Sequence, residues 1–448
     1  MSWLTDRRLW TAALAVWVVL ALIGLVLGPS LGHDEAAFAI TSRGEQPPGV
    51  WLYRSDGTVW IARLGTALGD AAWLVRLPSA LVNALAIVAA YAVGRAAFDA
   101  RTGAWTAAIL AGAHPMGLRA AELLSDLPGM ACVLGGIAIL AGEMQRPDGP
   151  RWRLVAAGPV FAAAFYVRYG SAPAVAIAIA AAVLLWWRAA LRRPLPIVAM
   201  AAAIGVLLIP HFLRSHEATG SYFGILDVSR GMPRRAYVGE GLVTYLASNP
   251  FLFYGALVAP VMVAGLVGLA TARRRVSYYL AVVALGQITM LGIQSHGQPR
   301  YVYVATALLV VLGVDYLRHR FPWPRPRVAL ALVAAAQLGL VVATVIHHRV
   351  VDDARAPIVA AAETMRAHSA GKPCAAVAAI VPQLMWYSRC SIFASSLIGP
   401  DSLPPDRDGY AVWLKKWPMD AGAFAAQRGL TATPLPTGDD RARVWRLR

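Results

Sequence analysis

Apolar and polar positions do not alternate along this chain; they fall into blocks. Apolar runs broken by Arg, Pro or Gly recur from residue 9 to residue 347. Each approaches the ~20 residues that a helix needs to cross a bilayer. The blocks predict eleven transmembrane helices: 9–28, 78–98, 102–119, 126–142, 154–168, 171–187, 195–213, 251–271, 277–295, 301–317 and 328–347. The stretches 102–119 and 154–168 are Ala-rich and only mildly apolar. The first run reads as a retained span, because no small-residue cleavage site separates it from His33-Asp34-Glu35. Two connections are long. Residues 29–77 contain amphipathic stretches at Asp34–Ser42 and Val59–Leu68, which predict helices lying at the membrane surface; residues 214–250 are polar and rich in Arg and Gly. After residue 347 the blocks stop. Residues 348–448 have mixed polarity, Pro-rich connections and a β-like run Cys374–Val381, the pattern of a small α/β-type domain. The expected architecture is an all-α polytopic membrane domain over 1–347 followed by a soluble domain over 348–448, with no internal repeat.

Composition agrees. The chain is 448 residues long, 58% hydrophobic and only 15% charged, whereas soluble domains are about half apolar and about 25% charged. Its net charge of +17 rests on 38 Arg among 41 basic residues. Nucleic-acid-binding proteins are also basic, but they lack serial apolar runs, so position decides what the charge means. With the N-terminus cytoplasmic, one set of span ends carries 17 Arg against five acids, while residues 29–77 hold four Arg and five acids. This is the asymmetry of the positive-inside rule, and eleven spans then place the tail outside. The preference for Arg over Lys, with abundant Ala, points to a GC-rich bacterial genome and hence to the bacterial inner membrane. Cys374 and Cys390 fall in the external tail, where oxidation is permitted; a disulfide and two unpaired structural cysteines both remain open. Cys132 reads as a small apolar residue within a span.

Ionisable residues at the predicted outer span ends are the candidates for chemistry. His33-Asp34-Glu35 follows the first span. Two adjacent carboxylates beside hydrocarbon are costly unless solvated, paired or used. Asp34 fits the N-cap of an interfacial helix, and it also fits a general base acting on a hydroxyl. Arg119, Glu122 and Asp126 have spacings of three, four and seven, which predict one helical face; an ion-pair ladder and a binding role both follow from that. Arg168, in Tyr166-Val167-Arg168-Tyr169-Gly170, and Arg300, in Gln298-Pro299-Arg300-Tyr301, sit among aromatics at outer ends. They read either as interfacial anchors or as bidentate phosphate ligands. Arg214, Arg234 and Arg235 are further cations in the 214–250 loop. His33, His114, His211, His216 and His296 leave a divalent cation beside Asp34 and Glu35 open, although none pairs at a helical metal-motif spacing. The pairs His347-His348 and Trp186-Trp187 read as interfacial residues. No Gly-rich phosphate loop, serine-nucleophile motif or zinc motif occurs, which argues against an ATP-driven pump or a hydrolase.

The order of motifs carries a resemblance. His33-Asp34-Glu35-Ala36-Ala37-Phe38 is followed by Gln46-Pro47-Pro48-Gly49-Val50-Trp51-Leu52-Tyr53, then Val75-Arg76-Leu77-Pro78-Ser79-Ala80-Leu81, then Tyr91-Ala92-Val93-Gly94-Arg95. The chain resembles integral-membrane glycosyltransferases of the C-type fold, in the aminoarabinose-transferase and protein O-mannosyltransferase superfamily. The likeness is best over residues 30–140, recurs at Pro299–Tyr303 and is weak in the tail; Phe38 departs from a frequent Tyr. The resemblance implies an enzyme that takes a sugar from a polyprenyl-phosphate donor and passes it, usually with inversion, to a glycan, glycolipid or protein acceptor at the outer membrane face. It maps the catalytic acid of the first outer loop onto Asp34 with Glu35 beside it, and an acidic residue of the second outer turn onto Asp126, with Glu122 and Arg119 near it. Arg168, Tyr169, Arg300 and Tyr301 would bind the lipid phosphate. No nucleic-acid partner and no firm cofactor follow. Two other classes stay open: a lipid or saccharide transporter or flippase, and a catalytically silent family member. Transporters concentrate ionisable groups near the midplane and use repeated halves, whereas here the polar residues sit at span ends.

Overall fold

The computed structural model describes all residues except 1, 46–52, 232–234, 321–325, 395–407 and 417–419. The motif Gln46–Leu52, Arg234 and Arg325 therefore lie outside the described residues. The first helices are α1 (Ser2–Val26), α2 (His33–Arg43), α3 (Asp56–Leu68), α4 (Ala72–Ala97), α5 (Ala100–Ala111), α6 (His114–Gly117), α7 (Asp126–Met144), α8 (Ala157–Val167), α9 (Ala172–Leu185) and α10 (Trp187–Arg192). They are followed by α11 (Pro194–Thr219), α12 (Gly224–Gly231), α13 (Glu240–Ala247), α14 (Pro250–Phe253), α15 (Val258–Leu269), α16 (Arg275–Gln294), α17 (Tyr303–Arg320) and α18 (Pro326–Ser369). The C-terminal part holds β1 (Cys374–Ala378), α19 (Pro382–Ser388), β2 (Ser391–Ala394), β3 (Asp408–Leu414), α20 (Ala421–Ala426), β4 (Ala432–Leu435) and β5 (Ala442–Leu447).

Every predicted span overlaps helix, but 102–119 and 251–271 are each broken by a non-helical stretch. Among the described residues, seven helices are long and apolar enough to cross a membrane: α1, α4, α7, α11, α16, α17 and α18. The stretches at α8, α9 and α15 are shorter apolar helices. The predicted span 102–119 is only the 12-residue α5, buried from Thr102 to Ala111. A short, Ala-rich helix suffices there because its neighbours, not lipid, cover it. The close approach is visible at Gly94 of α4, where a Cβ would lie 2.7 Å from the Cα of Gly103 in α5. Small residues let helix backbones meet in this way in membrane proteins. By contrast α11 is mostly uncovered, with Leu195, Val198, Val206, Ile209 and Leu213 exposed. An apolar face of that extent belongs against hydrocarbon.

The chain divides into two compact units. The first comprises Met1–Leu25, Leu52–Ile61 and Arg76–Thr344; the second comprises Val26–Trp51, Ala62–Val75 and Val345–Arg448. The second unit thus contains parts of the first long connection together with the tail. Its sheet has the order β2-β1-β3-β5-β4. β1 pairs in parallel with β2 (Ala375 opposite Ser391) and with β3 (Ala376 opposite Tyr410), while β3–β5 and β5–β4 are antiparallel. All five residues of β1 are buried, as expected for a central apolar strand. A disulfide joins Cys374 at the start of β1 to Cys390, just before β2, which resolves the two alternatives left by the sequence. α18 runs to Ser369, far beyond the predicted span end at 347. Its polar half keeps Ile358, Ala361, Ala362 and Met365 buried, the one-face spacing of an amphipathic helix.

Candidate functional site

Two groups of ionisable residues stand out, one in each unit. The first gathers on Asp126. Ser125 precedes α7 and Asp126 is its first residue, a position where the helix dipole favours negative charge. Its side chain is 2% exposed and lies between two cations. Arg168 Nη1 pairs with Oδ1, and Arg300 Nη1 lies 3.8 Å from Oδ2. Both guanidiniums lie over the Tyr301 ring, at 5.2 Å for Arg168 and 5.6 Å for Arg300. Arg168 ends α8 in an extended conformation, and Arg300 lies on the single turn Pro299–Val302 that leads into α17. Arg300 Nε donates to Gln298 Oε1 at 2.6 Å, which fixes its fork. Two guanidiniums thus face one carboxylate beside an aromatic ring.

Arg119 and Glu122 depart from the expected helical face. They pair with each other at 2.7 Å on a turn between α6 and α7. The cause is local: Ser79 Oγ donates to the carbonyl of Glu122 at 2.9 Å, and Asn83 Nδ2 donates to the carbonyls of Ala120 and Glu122, both at 3.1 Å. These side-chain bonds hold the turn to α4, and α7 begins only at Asp126. The Arg119 charge still feels Glu122, Tyr303, Arg300 and Asp126, so the pair belongs to the electrostatic surroundings of the first group.

Tyr169 is brought elsewhere. Its hydroxyl accepts from Arg214 Nη2 at 3.3 Å, and Arg214 pairs with Asp56 at the start of α3. His211 Nδ1 is 3.9 Å from the same carboxylate. The Asp56 loop is anchored by Ser55 and Thr58, whose hydroxyls donate to the Val167 carbonyl at 2.5 and 2.8 Å. Sequence reasoning missed Asp56, because its partners lie on α11 and no spacing links them. It also missed Tyr245 on α13, a buried phenol within electrostatic reach of Tyr301 and Arg168. Burial pushes its hydroxyl above the ordinary phenol range, so it remains a neutral hydrogen-bonding group. Arg235 donates to the Ile293 carbonyl. His296 bonds Gln298 at 2.8 Å and His216 lies beside Tyr222. Among the described residues no group of three or more His, Cys, Asp or Glu gathers as a metal site.

The second group is the N-terminus of α2. Gly32 is the N-cap, in an extended conformation, so His33, Asp34 and Glu35 form the first turn. The two carboxylates have different surroundings. Glu35 is 2% exposed; its Oε2 accepts the Gly32 amide at 2.7 Å and lies 4.0 Å from Arg355 Nη1. Asp34 is half-buried. Phe38 packs inside. At the other end Gly44 takes a left-handed conformation (φ 69°) and its amide returns to Ile40 and Thr41 carbonyls, a glycine C-cap.

Comparisons with known proteins add to this geometry. Residues 57–213 match the family model of dolichyl-phosphate-mannose-protein mannosyltransferases. The search of curated proteins gave no match. Among solved structures, ArnT from Cupriavidus metallidurans bound to undecaprenyl phosphate is 17% identical, with a TM-score of 0.76 over 99% of this chain and 98% of that one. The apo form of the same protein is 18% identical, with a TM-score of 0.72 over the same shares. The oligosaccharyltransferase AglB from Archaeoglobus fulgidus, in complex with an inhibitory peptide and a dolichol-phosphate, is 13% identical, with a TM-score of 0.55 over 89% of this chain and 69% of that one. The fold is the C-type fold of integral-membrane glycosyltransferases, as the sequence resemblance implied.

Proposed function

We propose that this protein is a multi-pass membrane glycosyltransferase that moves a sugar from a polyprenyl-phosphate donor to a hydroxyl acceptor of the cell envelope, with inversion at the anomeric carbon. The observation that carries the reading is the Asp126 group. Arg168 and Arg300 converge on one carboxylate around Tyr301, two guanidinium forks suited to a lipid phosphate. The likeness to an ArnT structure bound to undecaprenyl phosphate supports it.

In this reading Asp34 is the base. It takes the proton of the acceptor hydroxyl as that oxygen attacks the anomeric carbon. The bond from that carbon to the phosphate oxygen breaks, and its electron pair leaves with the polyprenyl phosphate. Arg168 and Arg300 hold the charge that develops there, an electrostatic term of the kind that dominates many enzyme rate enhancements. Asp126 orients both guanidiniums, Arg119 and Glu122 border them, and Tyr169 holds Arg214. The apolar helices form the lipid-embedded part, with the N-terminus cytoplasmic, residues 348–448 outside the bacterial inner membrane and the prenyl chain in a lateral groove. The test is purified protein in nanodiscs offered a panel of radiolabelled polyprenyl-phosphate pentoses and hexoses. Transfer or slow hydrolysis of at least one donor, with release of polyprenyl phosphate, is expected; inertness toward all of them overturns the reading.

A further inference from the structure

We infer that Arg355 and Tyr387, both in the C-terminal part of the chain, are positioning residues that hold the turn carrying Asp34. The inference rests on the reading of Asp34 as the base. Neither residue meets the reacting atoms in that reading; they act through α2.

The turn is gripped from both sides of Asp34. Arg355, on α18, donates through Nη1 to the Ser30 carbonyl, and the same nitrogen lies 4.0 Å from Glu35. Its guanidinium covers Gly32 so closely that a Cβ there would lie 2.9 Å from Nη2. One fork therefore spans Ser30, Gly32 and Glu35, the backbone immediately before Asp34 and the side chain immediately after it. Tyr387, on α19, accepts the Leu31 amide at 2.6 Å. Glu35 completes the lock by accepting the Gly32 amide. A carboxylate 2% exposed needs such partners, because an isolated buried charge is expensive.

The far end of α2 is held by the same platform. Arg43 stacks on the Trp386 indole at 4.1 Å, and Arg389 lies over the same ring at 4.9 Å. The two cations share Asp70 and Glu45: each pairs with Asp70, and they lie 3.8 and 3.6 Å from Glu45. α19 is itself fixed, with Leu384 and Trp386 buried and Cys390, next to Arg389, tied to β1 by the disulfide. These contacts concentrate on the turn whose placement decides whether a base reaches its proton, and a misplacement of about 1 Å costs a rate of the order of 10²-fold.

The experiment measures three quantities on the full-length protein in nanodiscs: kcat and KM for transfer, affinity for undecaprenyl phosphate, and hydrogen exchange at the amides of Leu31–Ala36. Arg355→Gln should lower kcat by about 10- to 100-fold, leave KM for the donor and undecaprenyl-phosphate affinity within about twofold, and speed exchange in that turn. Arg355→Lys, which keeps the charge without the fork, should recover part of kcat. Should Arg355→Gln fail to fold, Tyr387→Phe removes one hydrogen bond and should show the same pattern, weaker. Unchanged kcat in a folded variant overturns the inference; so does a parallel loss of kcat and lipid affinity, which marks general unfolding. Asp34→Asn separates the two readings. If it is inactive while Arg355→Gln behaves as wild type, only the positioning role falls. If Asp34→Asn turns over normally, the base reading falls and takes the catalytic purpose of the grip with it.

Discussion

Asp126 opens α7 and Asp34 lies in the first turn of α2, and the contrast between them separates two uses of a carboxylate. Asp126 is enclosed, 2% exposed, and shared by two guanidiniums. A carboxylate shared in this way is an organiser: it sets where two cations point. Asp34 is half-buried at the first turn of α2, and its neighbour Glu35 closes the cap and faces Arg355. Glu35 holds the turn, and Asp34 is the residue proposed as the base. The same residue type in the first turn of a helix thus serves as a charge anchor in one unit and as the proposed base in the other.

Substituting each aspartate tests that contrast. Asp34→Asn should cut transfer by at least about 10²-fold, the low end of general-base contributions, with a smaller loss of stability than Asp126→Asn. Asp126→Asn should do the reverse in order of cause. It strips the shared counter-charge from two buried guanidiniums, so it should cost roughly 3–5 kcal/mol of stability, with activity falling because Arg168 and Arg300 lose their orientation. Thermal unfolding in detergent alongside initial rates distinguishes them. Equal melting losses in both variants would erase the distinction drawn here.

How much of this was legible beforehand depends on the range of the signal. Apolar blocks are local, so all eleven predicted spans overlap helix. The Ala-rich α5 shows the limit, since composition cannot say that neighbouring helices rather than lipid surround it. The polar continuation of α18 was legible in principle, from the spacing of Ile358, Ala361, Ala362 and Met365, but the end of the apolar block masks a helix that simply changes environment. Arg168 and Arg300 could be singled out as cations among aromatics at span ends. Their meeting on Asp126 could not, because it depends on the crossing of α7, α8 and α17. The helical face drawn through Arg119, Glu122 and Asp126 failed because Asn83 and Ser79, distant in sequence, hold that turn to α4. Asp56 and His211 are invisible for the same reason.

A smaller effect sharpens the difference between the units through their cross-links. Within the second unit, the Cys374–Cys390 disulfide closes a loop with a sequence separation of 16, for which chain-entropy arguments give about 3 kcal/mol. Replacing both cysteines by Ser should loosen the sheet, seen as faster hydrogen exchange over β1, α19 and β2. Exchange within α7 and α17, which carry Asp126 and abut Tyr301, should stay as in the wild type. Loss of protection in both sets would mean that the two units unfold as one.

The first unit has an electrostatic counterpart of that staple, and it is weaker. Asp99 caps α5: its Oδ1 accepts the Thr102 amide at 2.7 Å and meets Arg318 Nη1 at 2.6 Å. Burial alone would raise this carboxyl, but the Arg318 guanidinium and the Thr102 amide outweigh it and hold the carboxyl down at about 2. A carboxyl whose folded value is depressed stabilises the fold above its unfolded value near 4 and loses that contribution as pH falls toward 2. The side chain is 47% exposed, so solvent screening keeps the contribution small, about 1 kcal/mol for cap and pair together. Asp99→Ala should therefore lower stability by about that amount at neutral pH and by nothing measurable near pH 2. A melting difference that persists unchanged at acid pH would show that the aspartate acts through packing, not through its charge. Because Arg318 lies on α17 and Asp99 just before α5, the neutral-pH loss should appear as fraying at those helix ends and leave β1 to β5 unaffected.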